Sequence, residues 1–360
     1  MKTIIMIGAG HSNLVAIGEL LPKASKDFRL ILVSDVSLAP YSGMLPGFLA
    51  GFYHKEEILF DLEKLKNHFG FELILDTAVE VNSAHNNIRL SSGSVLSYDC
   101  LSINTGIWPT PLLTDMKNEE RIIYAKPLSH LIPKWNHFLN TKTNLKVSIV
   151  GAGSAGIEVA SALAIRGKGT ITLFSKTETI LPELSKSVRE KVLAQLNFLG
   201  ITVKTNATVI SYMNNQISLE NGDNYSSDFV FVTTGARPHT IKGDLTCDTN
   251  GYLQTSAALL VNNTENVFAA GDCITFNQHP LPKAGVFAVR QGKVLAYNLK
   301  AFLNHAPLKN YVPQKSFLKI LMIGPHLGLA TKGQFHFMGS MAWKLKEYRD
   351  RKFMNQYQKD

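Results

Sequence analysis

Two glycine-rich segments of the chain have the spacing that binds a dinucleotide pyrophosphate. Residues 4–10 and residues 147–153 share an apolar run followed by Gly-Ala-Gly. The first glycine of such a turn permits the tight bend, the second lets a pyrophosphate approach, and the third lets the next helix pack closely on the strand. The helix amino terminus then stabilises the negative charge. The two copies predict two nucleotide sites, at Gly8, Gly10 and Asn13 and at Gly151, Gly153 and Gly156.

A carboxylate at the end of a third apolar segment is a further candidate ligand contact. Residues 267–270 are apolar and lead directly into Gly271 and Asp272. Ligands of open α/β sheets bind at the carboxyl ends of the strands, where Asp272 could accept a hydrogen bond from a sugar-alcohol hydroxyl. The alternative is that Asp272 only caps a helix.

The elements that position these residues are strand, turn and helix, in that order. Apolar periodicity predicts helices over residues 14–21 and 157–165. The preceding strands are apolar at nearly every position, which is typical of parallel sheets covered on both faces. We therefore expect an α/β fold with two Rossmann-like dinucleotide-binding domains, the second inserted in the first.

The repeat also predicts the domain limits. The first domain should comprise residues 1–115 and 237–310, the inserted domain residues 116–236, and a C-terminal segment residues 311–360. Prolines punctuate the crossings between the domains, at Pro109, Pro111 and Pro127 and again at Pro238.

Composition narrows the class of protein. The chain has 360 residues, a net charge of +9 and 45% apolar residues, and it contains no apolar run long enough to span a bilayer. The three cysteines are too widely spaced for a disulfide framework or a zinc site, and the eleven histidines show no metal spacing, so no metal is expected. The positive charge suits an anionic cofactor or membrane surface. No nucleic-acid-binding motif accompanies it. We expect a cytoplasmic protein of undetermined oligomeric state.

The ordered set of motifs resembles the pyridine nucleotide-disulfide oxidoreductase superfamily. The resemblance implies that the first fold binds FAD, that the second binds NADH or NADPH, and that Asp272 holds the ribityl chain of FAD. It also implies further cofactor contacts on the loops that follow the strands. These are His11, Ser12, Ser42, Pro46, Val79, Thr105, Gly106, Ser154, Gly235, Gly271, Lys283, Ala284 and Gly285.

In each dinucleotide fold, the residues at the end of the second strand are expected to contact the ribose of the cofactor. Dinucleotide folds often place an acid after the second strand, but here Ser34 stands there and Asp35 follows one position late. Ser34 can still bond a ribose hydroxyl, and Asp35 is left open between ribose and solvent. In the second fold the strand ends in Ser175 and Lys176, without a carboxylate. A lysine attracts the 2′-phosphate of NADPH, so the sequence favours NADPH and leaves NADH open.

The resemblance also bears on how electrons leave the flavin. Disulfide reductases carry a Cys-x4-Cys helix where this chain has residues 40–47, which include no cysteine. Direct transfer from flavin to acceptor is therefore expected. Residues 283–285 precede a helix whose amino terminus would stabilise the reduced flavin, with Lys283 as an added cation or a plain surface lysine. Glu158 resembles the glutamate of type II NADH dehydrogenases that faces nicotinamide and flavin; otherwise it is a first-turn acid.

Residues 40–51, 282–292 and 343–354 resemble the flavoprotein half found fused to selenide, water dikinase, which is related to type II NADH dehydrogenases. This implies an FAD-dependent NAD(P)H oxidoreductase that passes electrons to a quinone or a small oxidant. The alternative is a non-catalytic flavin or dinucleotide sensor, or an electron-transfer partner linked to selenium metabolism by association only.

The C-terminal residues combine an apolar stripe with basic side chains. Met341, Leu345 and Tyr348 interleave with Lys344, Lys346 and Arg349, and Trp343 suits an interface. One interpretation is a helix that caps the FAD domain. The other is a helix that docks on an anionic membrane surface, so that the protein is peripheral on the inner face of the membrane and admits a quinone to the flavin.

Overall fold

The computed structural model describes residues 1–21, 27–110, 120–141, 144–276 and 281–358. Pro111 and the expected boundary between residues 115 and 116 lie outside these ranges. Within them, the α-helices are α1 (His11–Leu20), α2 (Leu45–Ala50), α3 (Leu62–Phe69), α4 (Leu128–Asn140), α5 (Ser154–Arg166), α6 (Lys186–Phe198), α7 (Gly285–Leu303) and α8 (Ser340–Met354). Helices α1 and α5 begin nearly one turn before the apolar runs that predicted them.

The first glycine-rich segment belongs to a parallel sheet of five strands. Across the sheet their order is Val267–Ala269, Cys100–Ile103, Lys2–Ile7, Phe28–Ser34 and Glu72–Leu75. Successive residues of a strand point to opposite faces. Since Ile4, Ile5 and Met6 are all 0% exposed, both faces of the central strand are covered.

The second glycine-rich segment lies in a sheet of the same design. Its five parallel strands are, in order, Ile122–Tyr124, Phe229–Val232, Leu145–Val150, Gly169–Phe174 and Ile201–Lys204. Phe231 packs edge-on against Phe138 of α4, with 5.5 Å between ring centroids. In both sheets the strand before the glycine turn is central, which confirms the expected α/β fold with two Rossmann-like units.

Smaller sheets surround the two central ones. One has four strands, Lys242–Gly243, Ala78–Asn82, Asn87–Leu90 and Val95–Ser97, and another has three, Val209–Met213, Gln216–Leu219 and Asn224–Ser226. Strand pairs join Leu38–Pro40 to Leu59–Asp61 and Leu253–Thr255 to Ile274–Phe276. Ile107–Pro109 and Ala236–Pro238 pair antiparallel, so the two chain crossings marked by prolines run side by side.

The C-terminal segment is a three-stranded antiparallel sheet followed by α8. The strands are Lys319–Gly324, Leu327–Lys332 and Phe335–Gly339. One face of α8 is buried and includes Trp343, Lys346 and Asp350. Trp343 is therefore a core residue and not an interface residue, and Lys346 does not belong to the exposed basic face. The described helices include none long and apolar enough to cross a membrane.

Candidate functional site

The first glycine-rich turn rests on a layer of buried polar side chains. Gly8 has a φ of +87°, a left-handed conformation that favours glycine. The side chain of Asn13 donates to the carbonyl oxygens of Gly8 at 2.8 Å and Ile7 at 3.1 Å. Its own carbonyl oxygen accepts a 2.6 Å hydrogen bond from Ser102. Asn13 thus takes the place of the third glycine by hydrogen bonding to the turn.

Asn104, which the sequence did not single out, holds this turn against the neighbouring strands. Its Oδ1 accepts from the backbone N–H groups of Ser12 at 3.0 Å and Asn13 at 3.3 Å, and its Nδ2 donates to Ala270 O at 2.6 Å. A Cβ on Gly10 would lie 2.2 Å from Asn104 Oδ1, and one on Gly271 2.3 Å from Asn104 Nδ2. Glycine is therefore needed at both positions to admit Asn104. The available signal was a polar residue ending an apolar strand just before Thr105 and Gly106.

The second glycine-rich turn keeps the glycine roles expected from the spacing. A Cβ on Gly156 would lie 1.7 Å from the carbonyl oxygen of Gly151, so close helix packing requires glycine there. A Cβ on Gly153 would meet no protein atom within 4 Å, which leaves open space over the amino terminus of α5. Ser154 Oγ donates to Glu183, which also pairs with Lys319 at 2.8 Å.

The remaining residues expected to bind the nicotinamide cofactor lie near this turn. Ser175 is buried and its hydroxyl lies 3.1 Å from that of Thr177, whereas Lys176 is exposed. Gly235 has a φ of +68° and precedes the crossing strand Ala236–Pro238. No carboxylate stands at the end of the strand Gly169–Phe174.

An open cleft runs along the carboxyl ends of the first sheet. Gly106 and Gly285 line it, and a Cβ on either would meet no atom of the described residues within 4 Å, so these glycines leave room for a ligand. His11 also lines the cleft, with a buried Nε2 that has no hydrogen-bond partner in the described part of the chain. Burial lowers the pKa of His11 to about 4, which keeps the imidazole neutral. The expected FAD contacts on the cleft wall are Gly8, Gly10, His11, Ser34, Asp35, Ser42, Thr105, Gly106, Asp272 and Gly285.

Other expected contacts lie behind or beside this wall. Ser12 bonds the Ala288 carbonyl of α7 through its hydroxyl, and Val79 follows Ala78, which lines the cleft. Lys283 donates to the Ile274 carbonyl and lies 4.0 Å from the Tyr252 ring centroid. Burial lowers the pKa of Lys283. Asn13, Gly271 and Ala284 likewise adjoin lining residues without forming the wall. Pro46 is buried in α2 and does not line the cleft.

Asp272 faces the cleft and pairs with Lys126, a second residue that sequence reasoning missed. The Lys126 Nζ to Asp272 Oδ2 distance is 2.8 Å, and the Asp272 side chain is 17% exposed. Lys126 follows the strand Ile122–Tyr124 of the second sheet, and residues 126–129 line the same cleft. The two sheets therefore both contribute to the cleft at Asp272.

Behind the cleft, the loop at Tyr41 meets α8 in a buried charged cluster. Lys346 Nζ donates to Asp350 Oδ2 at 2.8 Å and to Gly43 O at 2.5 Å, and both charged side chains are only 10% exposed. Tyr41 donates to Asp350 Oδ1 at 3.0 Å. Burial would lower the pKa of Lys346, but the charges of Asp350 and Glu158 raise it above its usual value. We call these residues, Tyr41, Gly43, Lys346 and Asp350, the α8 cluster.

Glu158 of α5 adjoins the α8 cluster. Its Oε1 accepts a 2.9 Å hydrogen bond from the backbone of Met322. Burial raises the pKa of Glu158, while the charge of Lys346 opposes the rise. A raised pKa favours the protonated carboxyl group, which is the form that can donate a proton.

The three cysteines lie outside the α8 cluster, although Cys273 directly follows Asp272. Cys100 and Cys273 are buried at 0% and 1% exposure, and Cys247 is exposed. Burial raises the pKa of both buried thiols, which disfavours the reactive thiolate. In the part of the chain that the structure describes, no group of histidine, cysteine and acidic residues could hold a metal ion.

Fold and cleft define a flavin- and nicotinamide-dependent oxidoreductase with two dinucleotide folds. The chain belongs to the pyridine nucleotide-disulphide oxidoreductase family, whose model matches residues 2–292. It uses FAD and NAD(P)H as cofactors.

The chain is similar to curated oxidoreductases and, in its fold, to a solved structure. The chain is 24% identical over 323 residues to an NADH oxidase of Methanocaldococcus jannaschii, covering 82% of this chain and 69% of that protein. It is 21% identical to the type II NADH:quinone oxidoreductase of Staphylococcus aureus, covering 84% and 83%. The structure of NDH2 from Plasmodium falciparum shares the fold, with a TM-score of 0.82, 15% identity and coverage of 99% and 97%.

Proposed function

We propose that the protein transfers electrons from NAD(P)H through FAD directly to a quinone, without a redox-active disulfide. The α8 cluster is the observation that carries this proposal. It stands at the loop where disulfide reductases have their cysteine helix, and there it places a buried cation, a carboxylate and a phenol. Resemblance to type II NADH:quinone oxidoreductases supports the same acceptor class.

The overall reaction balances as NAD(P)H plus quinone plus one proton giving NAD(P)⁺ plus quinol. Bound FAD supplies the two-electron transfer between donor and acceptor. Lys346 would stabilise the negative charge that develops on the acceptor oxygen, because a buried cation acts strongly in a site with little water. Glu158 would supply the extra proton, since burial favours its protonated form.

Each part of the chain has its own role in this proposed function. Residues 1–115 and 237–310 would hold FAD, and residues 116–236 would hold the nicotinamide cofactor. Residues 311–360 would form the acceptor side. In the FAD part, Asp272 would hold the ribityl chain and Lys126 would add positive charge near it.

We favour NADPH as the donor, with NADH as the alternative. The exposed Lys176 would attract a 2′-phosphate, and the strand before it ends without a carboxylate that would repel one.

The exposed face of α8 supports a location on an anionic membrane surface. Met341 and Tyr348 are 63% and 61% exposed, and Phe335 on the preceding edge strand is 85% exposed. Apolar side chains beside basic ones suit a lipid headgroup boundary, from which a quinone could reach the flavin. We define the docking face as the apolar residues Phe335, Phe337, Met341, Leu345 and Tyr348 with the exposed basic residues Lys344, Arg349 and Lys352.

Anaerobic stopped-flow spectroscopy tests the proposal. The flavin absorbance should bleach with NADPH faster than with NADH, and a short-chain quinone should restore it through many turnovers. Selenite, polysulfide and oxygen complete the acceptor panel. Reoxidation by one of these but not by quinones would favour a soluble acceptor. Stoichiometric bleaching without turnover on any acceptor would indicate a sensor or an electron-transfer partner instead.

A further inference from the structure

Aromatic rings from both chain crossings stack at one end of the FAD cleft. Trp108 lies on the strand Ile107–Pro109, and His239 follows the strand Ala236–Pro238 that pairs with it. Their ring centroids are 4.9 Å apart with an interplanar angle of 18°, which is a stacked arrangement. His130 of α4 packs edge-on against the same indole at 5.1 Å. Both Trp108 and His239 line the cleft.

The stack lies at the end of the cleft where the second strand of the first sheet ends. His239 is close enough to Asp35 that the aspartate charge raises the histidine pKa against the larger lowering effect of burial. Thr105 Oγ1 also donates to the His239 carbonyl at 3.4 Å. In dinucleotide folds the end of the second strand meets the adenosine ribose, so the stack lies at the adenosine end and away from the flavin ring.

We propose that Trp108, backed by His239, is the stacking platform for the adenine of FAD. Adenine has an extended π face, and aromatic side chains recognise such faces by stacking, without base-specific hydrogen bonds. His239 stacks on the indole and His130 packs perpendicular to it, so the two rings together restrain its orientation. The platform is thus held in place before the base arrives, which lowers the ordering cost of binding.

The platform explains how the protein gains affinity for FAD although the usual ribose-binding acid after the second strand is missing. Asp35 is exposed and one position late, and the Ser34 hydroxyl already donates to the Val36 carbonyl at 2.8 Å. The ribose contacts at this strand end are therefore weaker than in folds that place a carboxylate there. Stacking of the adjoining adenine on Trp108 compensates for these weaker ribose contacts.

A comparison of FAD with FMN isolates this contribution, because FMN lacks the adenosine half. Full-length protein is stripped of flavin, and each flavin is titrated back by fluorescence anisotropy for the wild type, Trp108→Ala, Trp108→Phe and His239→Ala. Trp108→Ala should raise the Kd for FAD about tenfold and leave the Kd for FMN within about twofold, whereas Trp108→Phe should keep both near wild type. Phe198→Ala, which removes an exposed ring on α6, serves as a matched control with no effect on either flavin.

Two outcomes overturn the platform: equal weakening of FAD and FMN, or no weakening of FAD, in a folded Trp108→Ala protein. If circular dichroism shows that Trp108→Ala does not fold, His239→Ala decides the matter. If His239→Ala weakens the binding of FAD but not of FMN, the platform is supported. If it leaves FAD binding unchanged, or weakens FAD and FMN equally, the platform is refuted.

Discussion

The side-chain amide of Asn13 donates a 2.8 Å hydrogen bond to the carbonyl oxygen of Gly8. The equivalent pair in the second turn is Gly156 and Gly151, where any Cβ would lie 1.7 Å from the carbonyl oxygen. The two halves of the repeat therefore use different chemistry at the same point. The second turn is closed by close contact between its helix and the glycine turn, and the first turn by the Asn13 hydrogen bond. The side-chain carbonyl oxygen of Asn13 in turn accepts a hydrogen bond from Ser102.

Asn104 should be required for FAD retention although it does not belong to the glycine motif. Asn104→Leu keeps the size of the side chain but leaves two N–H groups of α1 without their acceptor, while the Ala270 carbonyl loses one donor and keeps Cys273 Sγ. Each unsatisfied buried group costs about 1–3 kcal/mol. We expect a lower melting temperature and loss of FAD on dialysis. Unchanged flavin content and melting temperature would show that the side-chain amide is not needed.

Asp272 and Lys126 should differ in their effects on FAD. Asp272→Ala removes the proposed ribityl contact and leaves Lys126 without its carboxylate, so the purified protein should lose FAD on extensive dialysis. Lys126→Met should lose much less, because an ion pair with a 42% exposed lysine contributes only about 1 kcal/mol or less. The flavin-to-protein absorbance ratio measures both. Full occupancy in Asp272→Ala would mean that the ribityl chain is held elsewhere.

Much of this site could be predicted from the sequence because its signals are local. Glycine spacing, apolar strands and a terminal Gly-Asp are short patterns, and they predicted both Rossmann-like units and the place of Asp272 at the cleft. The roles of Asn104 and Lys126 could not be predicted, because they depend on partners far along the chain. The α8 cluster could not be predicted for the same reason, because Tyr41 and Asp350 are separated by 309 positions. Lys346 and Asp350 have the spacing of an exposed helix pair, and only the packing of Trp343 shows that their face is buried.

Thiol chemistry should be dispensable for turnover. A variant with Cys100→Ala, Cys247→Ser and Cys273→Ala avoids placing a hydroxyl in the core, since two of the three residues are buried. Because the buried thiols have raised pKa values and few thiolates, NAD(P)H oxidation should stay within about threefold of wild type. A folded, FAD-loaded variant that no longer turns over would rule out direct transfer from flavin to acceptor.

Glu158 should control the pH dependence of acceptor reduction. If its protonated form supplies the proton, the rate falls as the pH rises through its raised pKa, and Glu158→Gln should lower the rate on the order of 100-fold and remove that limb. Lys346 lowers the Glu158 pKa and Asp350 raises it. Lys346→Met should therefore shift the limb to higher pH and Asp350→Asn to lower pH. Stopped-flow measurement of flavin reoxidation by quinone across a range of pH tests all three variants. A shift of the limb in the same direction in Lys346→Met and Asp350→Asn would contradict proton donation by Glu158.

The docking face should bind anionic membranes through its apolar stripe and its basic residues together. Truncation before α8 is unsuited to test this, because Trp343 and Met354 are buried and Lys346 pairs with Asp350 in the core. Serine at Met341, Leu345 and Tyr348 changes only exposed side chains on the outer face of the helix. The wild type should co-sediment with anionic vesicles at low salt and be released at high salt, because each basic residue near such a surface contributes about 1 kcal/mol that salt screens.

The triple serine variant should stay in the supernatant while keeping its flavin and its turnover with a water-soluble quinone. Phe198→Ser together with Met213→Ser removes exposed apolar side chains, 83% and 55% exposed, from another part of the molecule, and this control should sediment like wild type. Neutral vesicles at low salt separate the two contributions: partial binding would reflect the apolar stripe alone. A wild-type protein that ignores anionic vesicles at low salt would remove the membrane location and favour a soluble acceptor, because a basic face without lipid affinity gives a membrane quinone no route to Lys346.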